Sequence, residues 1–140
     1  MSTVSDMVDT YPKDLGGVAR AELVACIEEC LRCAQACTAC ADACLSEDVV
    51  AELTTCIRTN LDCADVCATT GKVLSRHTGD GAELTHADLT RAVLAACATA
   101  CGACADECAP HADVHAHCRV CAEACRACEK ACTDLLAALG

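Results

Sequence analysis

Eighteen cysteines recur at intervals of three and four residues along this chain of 140. They form four groups. The first holds Cys26, Cys30, Cys33, Cys37, Cys40 and Cys44. The second holds Cys56, Cys63 and Cys67, the third Cys97, Cys101, Cys104 and Cys108, and the fourth Cys118, Cys121, Cys125, Cys128 and Cys132. Asn60 stands where a cysteine would keep the rhythm of the second group. A thiol can cross-link, pack as a small hydrophobe or bind a soft metal ion. Neighbours on one helix face have Cβ atoms about 5–6 Å apart, whereas a disulfide wants about 3.5–4.5 Å. Pairs within a group therefore do not bridge easily. Packing alone is a poor reason for so many thiols, because leucine would bury more apolar area at the same positions. Metal binding is the remaining use.

Thiolates suit Cu(I), zinc and iron–sulfur clusters. A structural zinc takes four ligands, commonly from CxxC pairs on turns, and iron–sulfur ligands are few per cluster. Cu(I) accepts two or three thiolates and lets them bridge, so a continuous ladder offers overlapping sites and a capacity of roughly one ion per cysteine. A zinc-binding structural protein and an iron–sulfur or thiol redox protein are the alternatives. A redox module needs a differentiated thiol, such as one CxxC beside a basic residue at a helix start. No cysteine here stands apart from the ladder.

Alternating intervals of three and four define one face of an α-helix, where a strand would need a period of two. Alanine, leucine, glutamate and arginine fill the gaps, which also favours helix. The boundaries follow from breakers and caps. The first helix runs from about Val18, after Gly16 and Gly17, to Leu45; the second from Asp48 to Arg76. Residues 77–84 form a loop, Thr85 caps the third helix with Asp88 three residues on, and Pro110 ends it near Ala109. The fourth runs from His111 to Leu139. Tyr11 and Pro12 separate a short N-terminal helix from the rest. Such helices are roughly 40 Å long, and short connections make neighbours antiparallel. The expectation is an all-α, up-down-up-down antiparallel four-helix bundle with inward cysteine seams. Residues 1–17 are an N-terminal extension and residues 18–140 the metal-binding domain. The metal-free, reduced chain should already be helical, with its core neutral as thiols.

The two ends of such a bundle differ. At one, the seams become Leu23, Leu74, Val93, Leu94, Leu135 and Leu139, an apolar plug. At the other lie Cys44, Cys108 and Cys118, with Val49 and Leu53 and the turn CAPHADVHAHC. His111 and His115 are four apart, on one expected helical face leading to Cys118. His117 lies on the other flank. The expected metal ligands are the 18 cysteines, with His111 and His115 guarding the open end and Asn60 as an oxygen donor or a register-setting core residue. His77 and His86 flank the exposed loop and read as surface residues. Beside the seams, Val50, Ile57, Leu61, Ala64 and Ala68 form one apolar stripe, and Leu23, Ile27 and Leu31 another. Either could be core flank or subunit interface.

Only one residue is aromatic, Tyr11, and setting aside alanine and cysteine leaves 29 larger apolar residues. That is thin for an ordinary core. The formal charge of −11, from 10 basic and 21 acidic residues, offers no basic patch for nucleic acid. The first residues lack a basic and an apolar region, so no secretory signal is read there. No apolar run approaches the roughly 20 residues of a membrane span. A soluble cytoplasmic protein is expected, in a compartment that keeps thiols reduced.

The ladders Cys26–Cys44, Cys97–Cys108 and Cys118–Cys132, the HADVHAHC segment and the lack of an export signal resemble the bacterial cytosolic copper storage proteins, over about residues 18–139. That resemblance implies a cysteine-lined four-helix bundle holding many Cu(I) ions per chain, with uptake at the histidine end, no enzymatic role, and a homotetramer. A copper chaperone is the expected donor. The second helix, with three cysteines, departs most from the ladder pattern.

Overall fold

The computed structural model describes residues 2–13, 15, 19–76 and 87–139. Five α-helices appear among them: α1 (Thr3–Asp9), α2 (Arg20–Leu45), α3 (Thr54–Leu74), α4 (Ala87–Cys108) and α5 (Ala116–Leu139). Tight 3-10 turns cover Val50–Glu52 and Ala109–His111. The described residues contain no strand. The loop at 77–84, the cap at Thr85, His77, His86 and the glycines before the first long helix lie outside the described residues.

The four long helices form a closed ring, α2 against α3 and α5, and α4 against α3 and α5. Register is visible in the sulfur contacts. Along α2, Cys26, Cys30, Cys33 and Cys40 meet Cys132, Cys128, Cys125 and Cys118 in falling order on α5, so those helices run antiparallel. On α3, Cys56, Cys63 and Cys67 meet Cys108, Cys101 and Cys97 of α4 in the same falling order. Cys30, Cys33 and Cys37 instead reach Cys97, Cys101 and Cys104 in rising order. Those contacts cross the centre of the ring between parallel, diagonal helices. All 18 cysteines are buried and unbridged. At Gly71 an added Cβ would lie 3.3 Å from the Leu31 side chain and 3.5 Å from Cys30 Cβ, so α2 and α3 approach closely there and a larger residue would have to push the exposed Leu31 side chain aside by a few tenths of an ångström.

The helices are shorter than expected at the cysteine-rich end. α3 begins at Thr54, not Asp48, because the chain must cross the end of the ring. Leu53 turns inward to 1 % exposure before the helix starts. α5 begins at Ala116, not His111. Pro110 sits within the turn after α4, where its missing N–H removes no helical bond. His111 and His115 therefore share a connecting turn, tied by a His115 N–H to His111 carbonyl bond of 2.8 Å, and not a helical face. At the other end the apolar plug forms as expected. Leu23, Leu74, Leu94 and Leu135 are buried, with Val93 and Leu139 half-buried. Thr70 continues the α3 seam beyond Cys67 and is wholly buried, its hydroxyl donating to the Val66 carbonyl at 2.8 Å.

The apolar stripes divide. Leu23, Ile27, Ile57 and Ala64 are buried within the chain, while Leu31 and Leu61 remain exposed. One segment, Asp88–His111, is 24 residues long and apolar enough by composition to cross a membrane. This corrects the expectation that nothing here approaches such a span. Its Cys97, Cys101, Cys104 and Cys108 are wholly buried against the neighbouring helices, as in a core helix. The N-terminal helix is real: Ser2 Oγ caps it by accepting the Ser5 N–H at 3.1 Å. Arg20 ties it to α2 through Asp9 at 2.6 Å and Ser5 at 2.8 Å.

Candidate metal-binding site

Because the helices turn their seams inward, side chains three and four apart on each one stack along a common axis. The sulfurs that hydrogen-bond one another along this axis lie 3.5 to 4.0 Å apart. With a metal–thiolate bond of about 2.3 Å, sulfurs sharing one ion stand about 3.8 Å apart in a tetrahedron and about 4.0 Å apart in a triangle. The spacing already suits bound ions. Four-donor groups with all ligand atoms within 4.8 Å include Cys30/Cys97/Cys128/Cys132, Cys33/Cys67/Cys101/Cys128, Cys33/Cys37/Cys63/Cys125 and Cys37/Cys104/Cys121/Cys125. Consecutive groups share members: Cys128 joins the first two, Cys33 the second and third, and Cys37 and Cys125 the third and fourth.

Asn60 is wholly buried. Its Oδ1 accepts S–H bonds from Cys104 at 2.9 Å, Cys121 at 3.2 Å and Cys108 at 3.4 Å. Its Nδ2 donates to Cys56 Sγ at 3.6 Å. The amide is thus satisfied entirely by thiols, and its oxygen occupies the place a sulfur would take in the ladder. This placement is consistent with both roles expected for Asn60, core register and oxygen donor.

The thiols polarise one another. Hydrogen bonding, chiefly with Cys101, holds Cys63 and Cys97 below the ordinary thiol range. Cys101 itself is held above it, through Cys128 first. Cys26 is brought down to about 5, chiefly by Cys132. Near the open end burial dominates: it raises Cys44 and pushes Cys118 up to about 12.

The open end holds more than the sequence suggested. Cys40, Cys44, Cys118 and His117 form a further four-donor group. His117 Nδ1 lies 3.4 Å from Cys40 Sγ and 3.6 Å from Cys118 Sγ. His117 was absent from the expected ligand set because it sits one residue from Cys118, off the cysteine seam. Its neighbour His115 joins it at Glu47: His115 Nδ1 is 2.6 Å and His117 Nε2 2.9 Å from Glu47 Oε2. His111 turns instead to Glu107 at 3.8 Å. The two histidines expected to act together thus lie on different carboxylates.

Comparison with known proteins places these features. A scan of protein families matches the copper storage protein family over residues 19–137. Among solved structures, the copper storage protein of Streptomyces lividans loaded with 10 copper equivalents is 69% identical. The match covers 98% of this chain and 100% of that one, with a TM-score of 0.93. A cytosolic copper storage protein from the same organism, solved with five coppers, is 70% identical over 89% of this chain and all of its own, with a TM-score of 0.83. A Cu(I)-bound copper storage protein, BsCsp3, is 38% identical over 79% of this chain and 94% of its own, with a TM-score of 0.67. A search of curated proteins found no match. The family match spans nearly the whole chain, and its cysteine ladder is complete in the structure: this chain belongs to the copper storage protein family.

Proposed function

We propose that this chain stores and buffers copper as Cu(I) in the cytoplasm, in an up-down-up-down four-helix bundle spanning residues 18–140, with residues 1–17 as an extension. All 18 cysteines serve as ligands, joined at the open end by His117, with Asn60 as an auxiliary oxygen donor and His111 and His115 as uptake residues. The role is storage and not catalysis. The bundle assembles as a homotetramer, as the family resemblance implies, and takes its copper from a chaperone.

One observation carries this reading: four successive four-thiol groups, from Cys30/Cys97/Cys128/Cys132 to Cys37/Cys104/Cys121/Cys125, share sulfurs. A single closed zinc site takes four ligands of its own, whereas soft, low-coordinate Cu(I) tolerates a run of bridging thiolates. Each ion displaces a thiol proton, so filling need not accumulate charge in the core. Anaerobic Cu(I) titration of the reduced protein against a chromophoric chelator is expected to count on the order of one ion per cysteine. It should also release acid, because burial holds Cys118 protonated, up to about 12. Saturation at no more than about four ions would contradict storage.

The uptake residues have a separate expectation. The double substitution His111→Ala and His115→Ala should slow loading about tenfold while sparing capacity, since the interior thiols are untouched. Stopped-flow absorbance of the thiolate–copper band measures the rate. An unchanged rate removes the assigned role.

A further inference from the structure

The open end contains a carboxylate that none of the comparisons explains. Glu47 sits in the turn just after α2, held there by its N–H bond to the Cys44 carbonyl at 3.2 Å and by the Val50 N–H to its own carbonyl at 3.2 Å. Its side chain crosses from that turn to the start of α5 and is 31% exposed. A single oxygen, Oε2, meets both His115 Nδ1 at 2.6 Å and His117 Nε2 at 2.9 Å. The two rings stack with centroids 5.5 Å apart and planes inclined by 22°.

An ionised carboxylate only accepts hydrogen bonds. Both imidazole nitrogens that face Glu47 must therefore carry the proton. In the neutral rings the opposite nitrogen is then the lone-pair donor. For His117 that is Nδ1, the atom lying 3.4 Å from Cys40 and 3.6 Å from Cys118. For His115 it is Nε2. The same carboxylate thus imposes opposite tautomers on two adjacent rings.

We propose that Glu47 is a positioning residue for copper uptake, fixing His117 with Nδ1 toward the open-end thiols and His115 with Nε2 as its free donor. The inference rests on the copper-storage reading of this end. A carboxylate behind a ligating imidazole sets its tautomer and basicity, and losing it costs about 10- to 100-fold in metal affinity or activity. Among the described residues, the Glu47 side chain is paired with the two rings, and it acts through them.

The test uses the full chain, reduced and metal-free, in three forms: unchanged, Glu47→Ala and Glu47→Gln. Long-range ¹H–¹⁵N correlation spectra report which imidazole nitrogen lacks a proton. The unchanged protein should show Nδ1 bare in His117 and Nε2 bare in His115. Glu47→Ala should show mixed tautomers and take up the first equivalents of Cu(I), offered as its bicinchoninate complex, about tenfold more slowly. Glu47→Gln keeps an acceptor oxygen and should restore both readouts. The opposite tautomer in the unchanged protein, a single unaltered tautomer in Glu47→Ala, or uptake by Glu47→Ala at the original rate each overturns the proposal. Failure of the storage reading looks different: the tautomers would respond as stated while the unchanged protein saturated at a few ions.

Discussion

Copper-loaded protein should melt at least about 15 °C above the reduced, metal-free form, with no gain in helix content. The group Cys33/Cys67/Cys101/Cys128 takes one thiol from each of α2, α3, α4 and α5. An ion bound there ties all four helices together, and each of the three other four-thiol groups named above ties three of them. A ligand that binds only the folded state stabilises it by about 2.7 kcal/mol at a hundred times its dissociation constant. Unfolded thiols also bind Cu(I), which lowers the gain per ion. Several cross-links nevertheless sum to about 5 kcal/mol or more, and for a domain of this size that is the stated shift. The metal-free form is expected to be helical, since its buried thiols already hydrogen-bond one another at 3.5 to 4.0 Å. Circular dichroism during thermal unfolding measures both quantities. Equal melting temperatures, or a random-coil spectrum without metal, would refute the account.

Leu94→Ala should be the most damaging single truncation for the metal-free protein, costing about 2–5 kcal/mol. Leu94 is wholly buried at the plugged end, where Leu23 and Leu135 are buried too. Large buried side chains are few in this chain: the fully buried ones include Leu23, Ile27, Leu53, Leu94 and Leu135. Each therefore carries an unusual share of the apolar stabilisation, because a thiol buries less area than a leucine. Denaturant unfolding of the reduced form gives the cost. Copper capacity should be preserved, because the truncated side chain lies beyond the last thiols, and loading should recover most of the lost stability. A loss under about 1 kcal/mol would mean that the thiol column, and not the plug, holds the empty bundle together.

The cysteine seams were legible in the sequence because a helical period is a local property. A side chain's direction follows from its position relative to neighbours three and four residues away. With 18 thiols in that rhythm, helices, inward faces and a soft-metal core all followed, and so did the plug at Leu23, Leu74, Leu94 and Leu135. The helix starts were less legible. Asp48 and His111 looked like natural first residues, yet α3 begins at Thr54 and α5 at Ala116. The chain must cross the end of the ring before it can descend again, and that demand comes from the separation of the helices, which no local spacing records.

The open end shows the same division. The sequence placed histidines beside Cys118 but paired His111 with His115 by their spacing. In space His115 pairs with His117 through Glu47, some 70 residues away in the chain, and His117 supplies the nitrogen next to Cys40 and Cys118. Residue types and period therefore settle what this protein binds and along which axis. Which sulfurs share an ion, which imidazole faces inward and which carboxylate orients it depend on contacts between different helices and turns. Those contacts exist only once burial of the seams has brought the four helices together.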